Sequence, residues 1–363
     1  MQTIFIEMER LRNIHSGLGQ FCLNLGNGLS RLLREEAKLH FYVPKPLKNT
    51  FGNQHQYHAV SALHKIFPVS FEKFDLWHCT HQESNYLPSH QQTKLILTIH
   101  DLNFLEKYKS NFKKKLRLKR IQGKINRASA LVFSSKYTEG MVRKYLSVPN
   151  IPVKIIYLGQ DIKEFPLALP LCLPFLPDGK FIFSIGIVNP KKNFLVLLNL
   201  LKYQKEFSLV IAGDNTHAYA KTILDTAKKM NLSARVFLPG TVDEPTKCWL
   251  YKNCAAFAFP SLSEGFGLPV VEAMRFGKPV FCSDKTSLPE IGGHEAFYWQ
   301  NFEPDDMNDV FEKGMHAYSK DKEKTERIKK WASQFSWENT AKAYWTLYAE
   351  LLMKADRAAT VKT

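Results

Sequence analysis

The feature that most limits what this chain can become is a series of short apolar segments that runs twice. The first series reads "TIFIEM", "LHFYV", "FDLWHC", "KLILTIH", "SALVFSS" and "KIIYLG". After the proline-rich stretch "FPLALPLCLPFLPDG" it restarts with "KFIFSIG", "FSLVIAG", "ARVFLPG", "AAFAFP", "PVFCSD" and "AFYWQ". Strands that are apolar throughout must be covered on both faces, and helix-compatible segments lie between most of them. That combination indicates parallel sheets. Two such sets predict an α/β chain of two doubly wound, Rossmann-like domains facing each other across a cleft. Residues 1–165 are expected to form the first domain and 166–340 the second. The closing stretch "SWENTAKAYWTLYAELLMKA" predicts a long amphipathic helix. Ser336 is its N-cap, Asn339 takes the N3 place, and apolar residues fall at 341, 344, 345, 348, 351 and 352.

At 363 residues the chain has room for two domains, and its 45% hydrophobic and 23% charged content is that of a soluble globular protein. No stretch reaches the roughly 18 apolar residues needed to span a bilayer. The linker is broken by Pro166, Pro170, Pro174 and Pro177. "MQTIFIEMERLRN" lacks a basic start and a long apolar run, so no signal peptide is expected. Six scattered cysteines with no CxxC pair read as buried thiols in a reducing cytosol.

The net charge of +16 implies attraction to a polyanion: nucleic acid, an acidic membrane face or a phosphorylated substrate. Much of it is local. Lys107 to Arg127 holds ten Lys or Arg and no acid, while Phe112, Leu116, Ile121 and Ile125 recur at near-helical spacing. This is a basic amphipathic helix suited to anionic lipid headgroups, or else a solvated face with no partner.

"AAFAFP" followed by "SLSEGFGLPVVEAM" reads as strand, loop and helix, with Pro269 in the helix's first turn. Gly265 and Gly267 let the backbone approach a ligand, and the Gly267 and Leu268 N–H groups are placed to meet an anion such as a diphosphate. Glu264 precedes the turn and Glu272 lies inside the helix. Carboxylates accept hydrogen bonds from paired hydroxyls, as on a hexose and a ribose, so the group fits a nucleotide sugar. Alone, each acid reads as an ordinary loop or first-turn helix acid. Together, in this setting, they read as a site. A nucleic-acid-binding protein would leave them unexplained, and no recognised binding motif is present.

The stretch "EGFGLPVVEAM", with seven residues between Glu264 and Glu272, resembles the signature of the retaining glycosyltransferases of family 4, which have the GT-B fold. The likeness extends in order along nearly the whole chain, through "NIHSGLGQF", "LWHCTHQ", "LTIHDLNFL", "SSKYT", "IIYLGQD", "FSIGIVNPKKNFLVLL" and "SLPEIGGHEAFYW". Gly17 and Gly19 are read in a turn that leads into a helix, "QFCLNLGNGLSRLLREE". The resemblance implies that they lie near the donor diphosphate and that His100 touches the transferred sugar. Lys192 would bind the phosphates, with Lys191 where an arginine is usual. Lysine keeps the charge there without the planar fork. Ile187 stands where many members carry a second arginine. The resemblance further places Glu272 on the ribose, Glu264 on the sugar, and Phe266, Gly267 and Leu268 beside the donor. It implies that the terminal helix, from about 340 to 363, packs back on the first domain.

"GTVDEPTK" resembles mannosyltransferases in which a lysine at the Lys247 position faces guanine, a base with an acceptor oxygen. Uracil also offers oxygens, so UDP-hexose stands as the alternative to GDP-mannose, and Lys247 also reads as a surface helix lysine. The mechanism implied is retention without a metal or other cofactor. His100, Glu264 and Lys192 would be catalytic, with the leaving diphosphate stabilised by Lys192 and the helix N-terminus. "PDD" at 304–306 is expected in a surface loop, and "HCTH" lacks the further spacing of a metal site. The expected partners are a nucleotide sugar, a glycan or lipid-linked cell-envelope acceptor, and an anionic membrane met through Lys107–Arg127, but no nucleic acid. The expected location is the cytoplasm, peripheral on the inner face of its membrane.

Overall fold

A computed structural model describes the chain except His15, Leu33, 66–71, 108–109, Asp161, 163–178 and 361–363, and the side chains at 62, 65, 107 and 354–360. Most of the proline-rich linker, with Cys172, therefore lies outside the described residues. The chain forms two compact units, one of Met1–Gly159 with Ser336–Thr363, the other of Gln160–Phe335.

The first unit holds β1 (Gln2–Glu7), β2 (Ala37–Val43), β3 (Gln56–Ala59), β4 (Leu76–Cys79), β5 (Lys94–Ile99), β6 (Ala130–Phe133) and β7 (Val153–Ile155). They form one parallel sheet in the order β3-β2-β1-β4-β5-β6-β7. The second unit holds β8 (Lys180–Ile185), β9 (Phe207–Ala212), β10 (Val236–Gly240), β11 (Ala256–Phe259), β12 (Val280–Ser283) and β13 (Phe297–Trp299). Its parallel order is β10-β9-β8-β11-β12-β13. In each sheet the order reverses beside the first strand, at β1/β4 and at β8/β11. Doubly wound sheets receive ligands outside the carboxyl ends of their strands at that reversal.

Every expected apolar segment is a strand. β3, "QYHA", was not expected, because it is a sheet-edge strand without an apolar run and its Gln56 is exposed. The apolar strands bury themselves as the pattern requires. β9 and β11 are buried at every position, and Phe194, Leu209, Ile211 and Phe281 share one core cluster.

The terminal helix, Trp337–Thr360, begins after Ser336, whose hydroxyl accepts from the Asn339 N–H at 3.1 Å. Its six expected apolar positions are all buried. Within the first unit its Tyr348 hydroxyl meets His78 Nδ1 at 2.7 Å, Tyr344 meets the Thr98 hydroxyl at 2.9 Å, and the Trp345 indole donates to the Leu29 carbonyl at 3.2 Å.

Three expectations need correction. The basic segment is not one helix from Lys107. Lys107 ends the short helix Phe104–Lys107, and a second helix, Asn111–Arg127, starts at the Ser110 cap. Of its four apolar residues Ile121 and Ile125 are buried, while Phe112 is 76% and Leu116 42% exposed. The residues Pro304, Asp305 and Asp306 are not a loop but the first turn of the helix Pro304–Lys320, where proline and acids both suit an N-terminus. Gly17 and Gly19 do not precede a helix but open it, since it runs Gly17–Arg31 from the Ser16 cap. Cys22, Cys79, Cys248, Cys254 and Cys282 are free and buried. Among the described residues, no helix is long and apolar enough to cross a membrane.

Candidate functional site

In the second unit the loops that leave β8 and β11 flank the reversal of strand order. After β8, Asn189 caps the tight turn Pro190–Lys192 by accepting from the Lys192 N–H at 3.3 Å, and left-handed Asn193 ends it. The Lys191 carbonyl accepts from the Leu262 N–H at 2.9 Å, which joins this turn to the loop after β11. Across that join Lys192 Nζ lies 2.5 Å from Glu264 Oε1, and the Ser261 hydroxyl donates to the same oxygen at 2.6 Å. The Lys192 ammonium sits 4.8 Å from the Phe259 ring centroid, a cation–π contact. The Glu264 backbone is held as well: its N–H donates to the Thr286 hydroxyl at 3.0 Å and its carbonyl accepts from Ser287 at 3.1 Å. Ile187, where the charge of an arginine was noted as missing, is 56% exposed.

The turn from this loop into the helix Leu268–Arg275 depends on Gly267. Its φ of 107° is left-handed, and a Cβ there would lie 2.6 Å from Leu288 Cδ2. Pro269 brings no N–H to the helix start, whereas Gly267 and Leu268 do. The Phe266 side chain is buried with its ring centroid 5.8 Å from that of Phe335, and its carbonyl accepts from the Ser287 hydroxyl at 2.9 Å, so it packs inward and anchors the turn.

Glu272 belongs to a second cluster. Tyr251 donates to its Oε2 at 2.7 Å, and Lys247 Nζ lies 3.5 Å from Oε1 and 2.9 Å from Glu244. Burial would lower the Lys247 pKa, but Glu272 and Glu244 more than offset it, so the ammonium is held above its ordinary value and stays charged. Burial, reinforced by the Glu272 charge, pushes the Tyr251 phenol well up and keeps it a neutral donor. Tyr251 escaped the sequence reading. Its signal was its place four residues beyond Lys247 on one helix face. Thus Lys192 and Glu264 are brought together, as are Lys247 and Glu272, and no ion pair or hydrogen bond joins the two pairs among the described residues.

In the first unit the carboxyl ends of β1, β4 and β5 present Glu7, His81 and His100. His100 is buried, and its Nε2–H donates to the Thr80 carbonyl at 2.9 Å. Burial lowers its pKa, so the imidazole is neutral and Nδ1 is the acceptor nitrogen. Phe21, one turn into the helix that Gly17 opens, meets the His100 ring edge-on at 4.5 Å. A Cβ on Gly19 would fall 2.0 Å from the Asn13 carbonyl oxygen, so only glycine fits there, while Gly17 opens onto free space.

Glu7 is the acid the sequence reading passed over, although an acid ending an apolar strand was visible. It is fully buried, accepts from the Glu9 N–H at 2.7 Å through Oε1, and makes no hydrogen bond through Oε2 among the described residues. Burial outweighs the Glu9 amide and pushes its pKa up to about 7. His81 lies 3.7 Å away but is no ionic partner, because burial and Arg10 hold it neutral. Glu7, Glu9 and His81 could share a cation by proximity alone. Arg10, however, donates to His81 Nε2 at 3.1 Å and puts its own charge where a metal would bind. Both ring nitrogens of His78 are taken, by Tyr348 and by the Thr98 hydroxyl at 2.8 Å.

Comparison with known proteins bears on both units. Residues 17–164 match the family described as Glycosyltransferase Family 4, and residues 173–335 match Glycosyl transferases group 1. Serotype-specific mannosyltransferase WbdA of Escherichia coli is 33% identical over 172 residues, 46% of this chain and 21% of that protein. The match therefore spans about a fifth of that relative. O-antigen chain mannosyltransferase B of the same species is 25% identical over 275 residues, 71% of each chain. HepE of Anabaena, solved in complex with UDP-glucose, superposes with a TM-score of 0.70 at 17% identity, over 96% of this chain and 100% of that one. At that identity the likeness shows the fold alone, two α/β domains of GT-B type.

Proposed function

Because the chain belongs to the glycosyltransferases, a family 4 domain followed by a group 1 domain, we propose that it transfers mannose from GDP-mannose to a glycan or lipid-linked cell-envelope acceptor. The observation that carries the chemistry is the Lys192–Glu264 pair, set where β8 and β11 part and beside the start of the Leu268–Arg275 helix. In the reading we favour, a donor diphosphate takes Lys192 as its counter-charge and the Gly267 and Leu268 amides as further donors. Lys191 adds positive charge beside them. Glu264, released from the ion pair, accepts hydrogen bonds from the hexose, and Glu272, steadied by Tyr251, accepts them from the ribose.

As the bond to the leaving phosphate breaks, charge grows on the diphosphate, where Lys192 and the helix start act most strongly. The acceptor hydroxyl then attacks the anomeric carbon from the same face, its proton passing to the departing phosphate oxygen, and configuration is retained, without a metal. His100, neutral, is read as an acceptor for a sugar hydroxyl. The mannosyl choice is supported by what the two Escherichia coli relatives are named for, and by Lys247, a donor suited to guanine. A second reading, a UDP-hexose donor, draws support from HepE and from the engagement of Lys247 with Glu244 and Glu272. An acceptor of the cell envelope would place the enzyme in the cytoplasm against the inner membrane face, through the basic helix.

The test is a pair of variants. Glu272→Ala should chiefly weaken donor affinity, while Glu264→Ala should chiefly lower kcat, since the sugar is where charge develops. Wild-type turnover in Glu264→Ala would sink the assignment.

A further inference from the structure

The helix Asn111–Arg127 does more than present charge. With the turn after β1 and the loop after β4 it walls a depression of about 430 Å³, within the range of about 300–1,000 Å³ of small-molecule sites. Arg10, Lys113, Arg117, Arg120 and Lys124 line it against a single carboxylate, Glu83. Glu83 pairs with Arg117, and Arg10 lies 3.8 Å from Glu9 beside the depression, so three cations, Lys113, Arg120 and Lys124, remain to be balanced. Neither Lys113 nor Arg120 has an ion-pair partner among the described residues. Lys124 is 8% exposed and gives one N–H to the Gln82 carbonyl at 2.8 Å, which leaves two donors on a nearly buried ammonium. Gathering so many cations in one concavity is self-repulsive, and an anion removes that repulsion. The wall also has an apolar side. Leu116 lines the depression, and Phe112, one turn away on the same face, is 76% exposed.

We propose that this depression is a binding site for the phosphate or diphosphate head of an amphiphile, with its apolar chain laid along Leu116 and Phe112. The inference rests on the glycosyl-transfer reading in one respect: it makes the amphiphile the carrier of the acceptor. It differs from diffuse attraction to a charged membrane, because a site depends on which cations are present and not on how many.

Two variants separate these. Lys113→Gln with Arg120→Gln removes two exposed charges from the depression. Lys114→Gln with Lys115→Gln and Lys119→Gln removes three from the same helix outside it. Neutral phosphatidylcholine vesicles carrying a small fraction of farnesyl diphosphate should recruit the wild type and the triple variant. They should recruit the double variant about tenfold less, as expected for lost charge-assisted hydrogen bonds. Vesicles with phosphatidylglycerol should instead favour the double variant over the triple one, following charge alone. Equal recruitment of wild type and double variant by the diphosphate vesicles overturns the site. So does an equal loss in the triple variant, which would mean diffuse electrostatics.

Inorganic pyrophosphate, titrated into a Lys192→Ala chain with and without the double substitution, tests the head alone. Binding that depends on Lys113 and Arg120 while the diphosphate vesicles recruit nothing would overturn the amphiphile in favour of a free phosphate. Nucleotide release from donor, read in the same preparations, keeps the two proposals apart. Its absence in the wild type refutes glycosyl transfer and leaves vesicle recruitment to decide the depression.

Discussion

Lys192 and Glu264 keep only 16% and 13% of their side chains exposed, so each is the other's main counter-charge and water has little access to replace it. That pairing sets what a substitution does. Lys192→Ala should lower kcat by about a hundredfold or more, the range seen when a stabiliser of transition-state charge is removed. It also strands Glu264, and breaking a buried pair costs about 3–5 kcal/mol at most. Turnover and melting temperature therefore have to be measured on the same protein, and a folded variant with unchanged kcat would contradict the role. Glu7 gives a pH-dependent prediction. Its folded pKa, about 7, lies above the ordinary 4.5, so the folded state holds the proton more tightly. Stability should fall as pH rises from near 4.5 to near 7, by roughly 3 kcal/mol, and stay low above that. Glu7→Gln should flatten this slope and raise the melting temperature at pH 8. An unchanged slope would show that another group titrates. Glu264 and Glu272 were legible because their spacing straddles a strand–loop–helix turn. Tyr251 and Glu7 were not, because a hydroxyl or a carboxyl acquires its role from what packing brings to it.

Elements were the most legible scale. Apolar runs named twelve of the thirteen strands, because a strand buried on both faces has no polar position to blur it. β3 lies at the sheet edge and carries no such run. The terminal helix was legible from its cap and its apolar face, but its hydrogen bonds to the first unit were not. Tyr348→Phe should cost about 1–3 kcal/mol in urea denaturation, the penalty for leaving the His78 Nδ1 unsatisfied in the core. A neutral result would mean that His78 finds another partner. The basic helix was legible as charge. Its concave side was not, since that needs the turn after β1 and the loop after β4 to fold beside it.

At the scale of the whole molecule, one strand order appears twice. Glu7 ends a strand at the reversal in one unit, and Lys192 and Glu264 follow strands at the reversal in the other. His100 follows the neighbouring β5, and Lys247 the edge strand β10. Recurrence of apolar segments predicted two such sheets. It could not single out one loop for chemistry, and there the signature around Glu264 and Glu272 supplied the candidate. If Lys192 and helix amides neutralise the leaving diphosphate, EDTA should leave transfer largely intact. Activity lost to EDTA and restored by Mn²⁺ or Mg²⁺ would replace that electrostatic account. The most direct measurement is release of nucleoside diphosphate from a panel of nucleotide sugars by the wild type and Glu264→Ala. The account predicts release from GDP-mannose above the UDP-hexoses, and its loss in the variant. No release from any nucleotide sugar with acceptor-bearing membranes present, or equal release by both proteins, would contradict it.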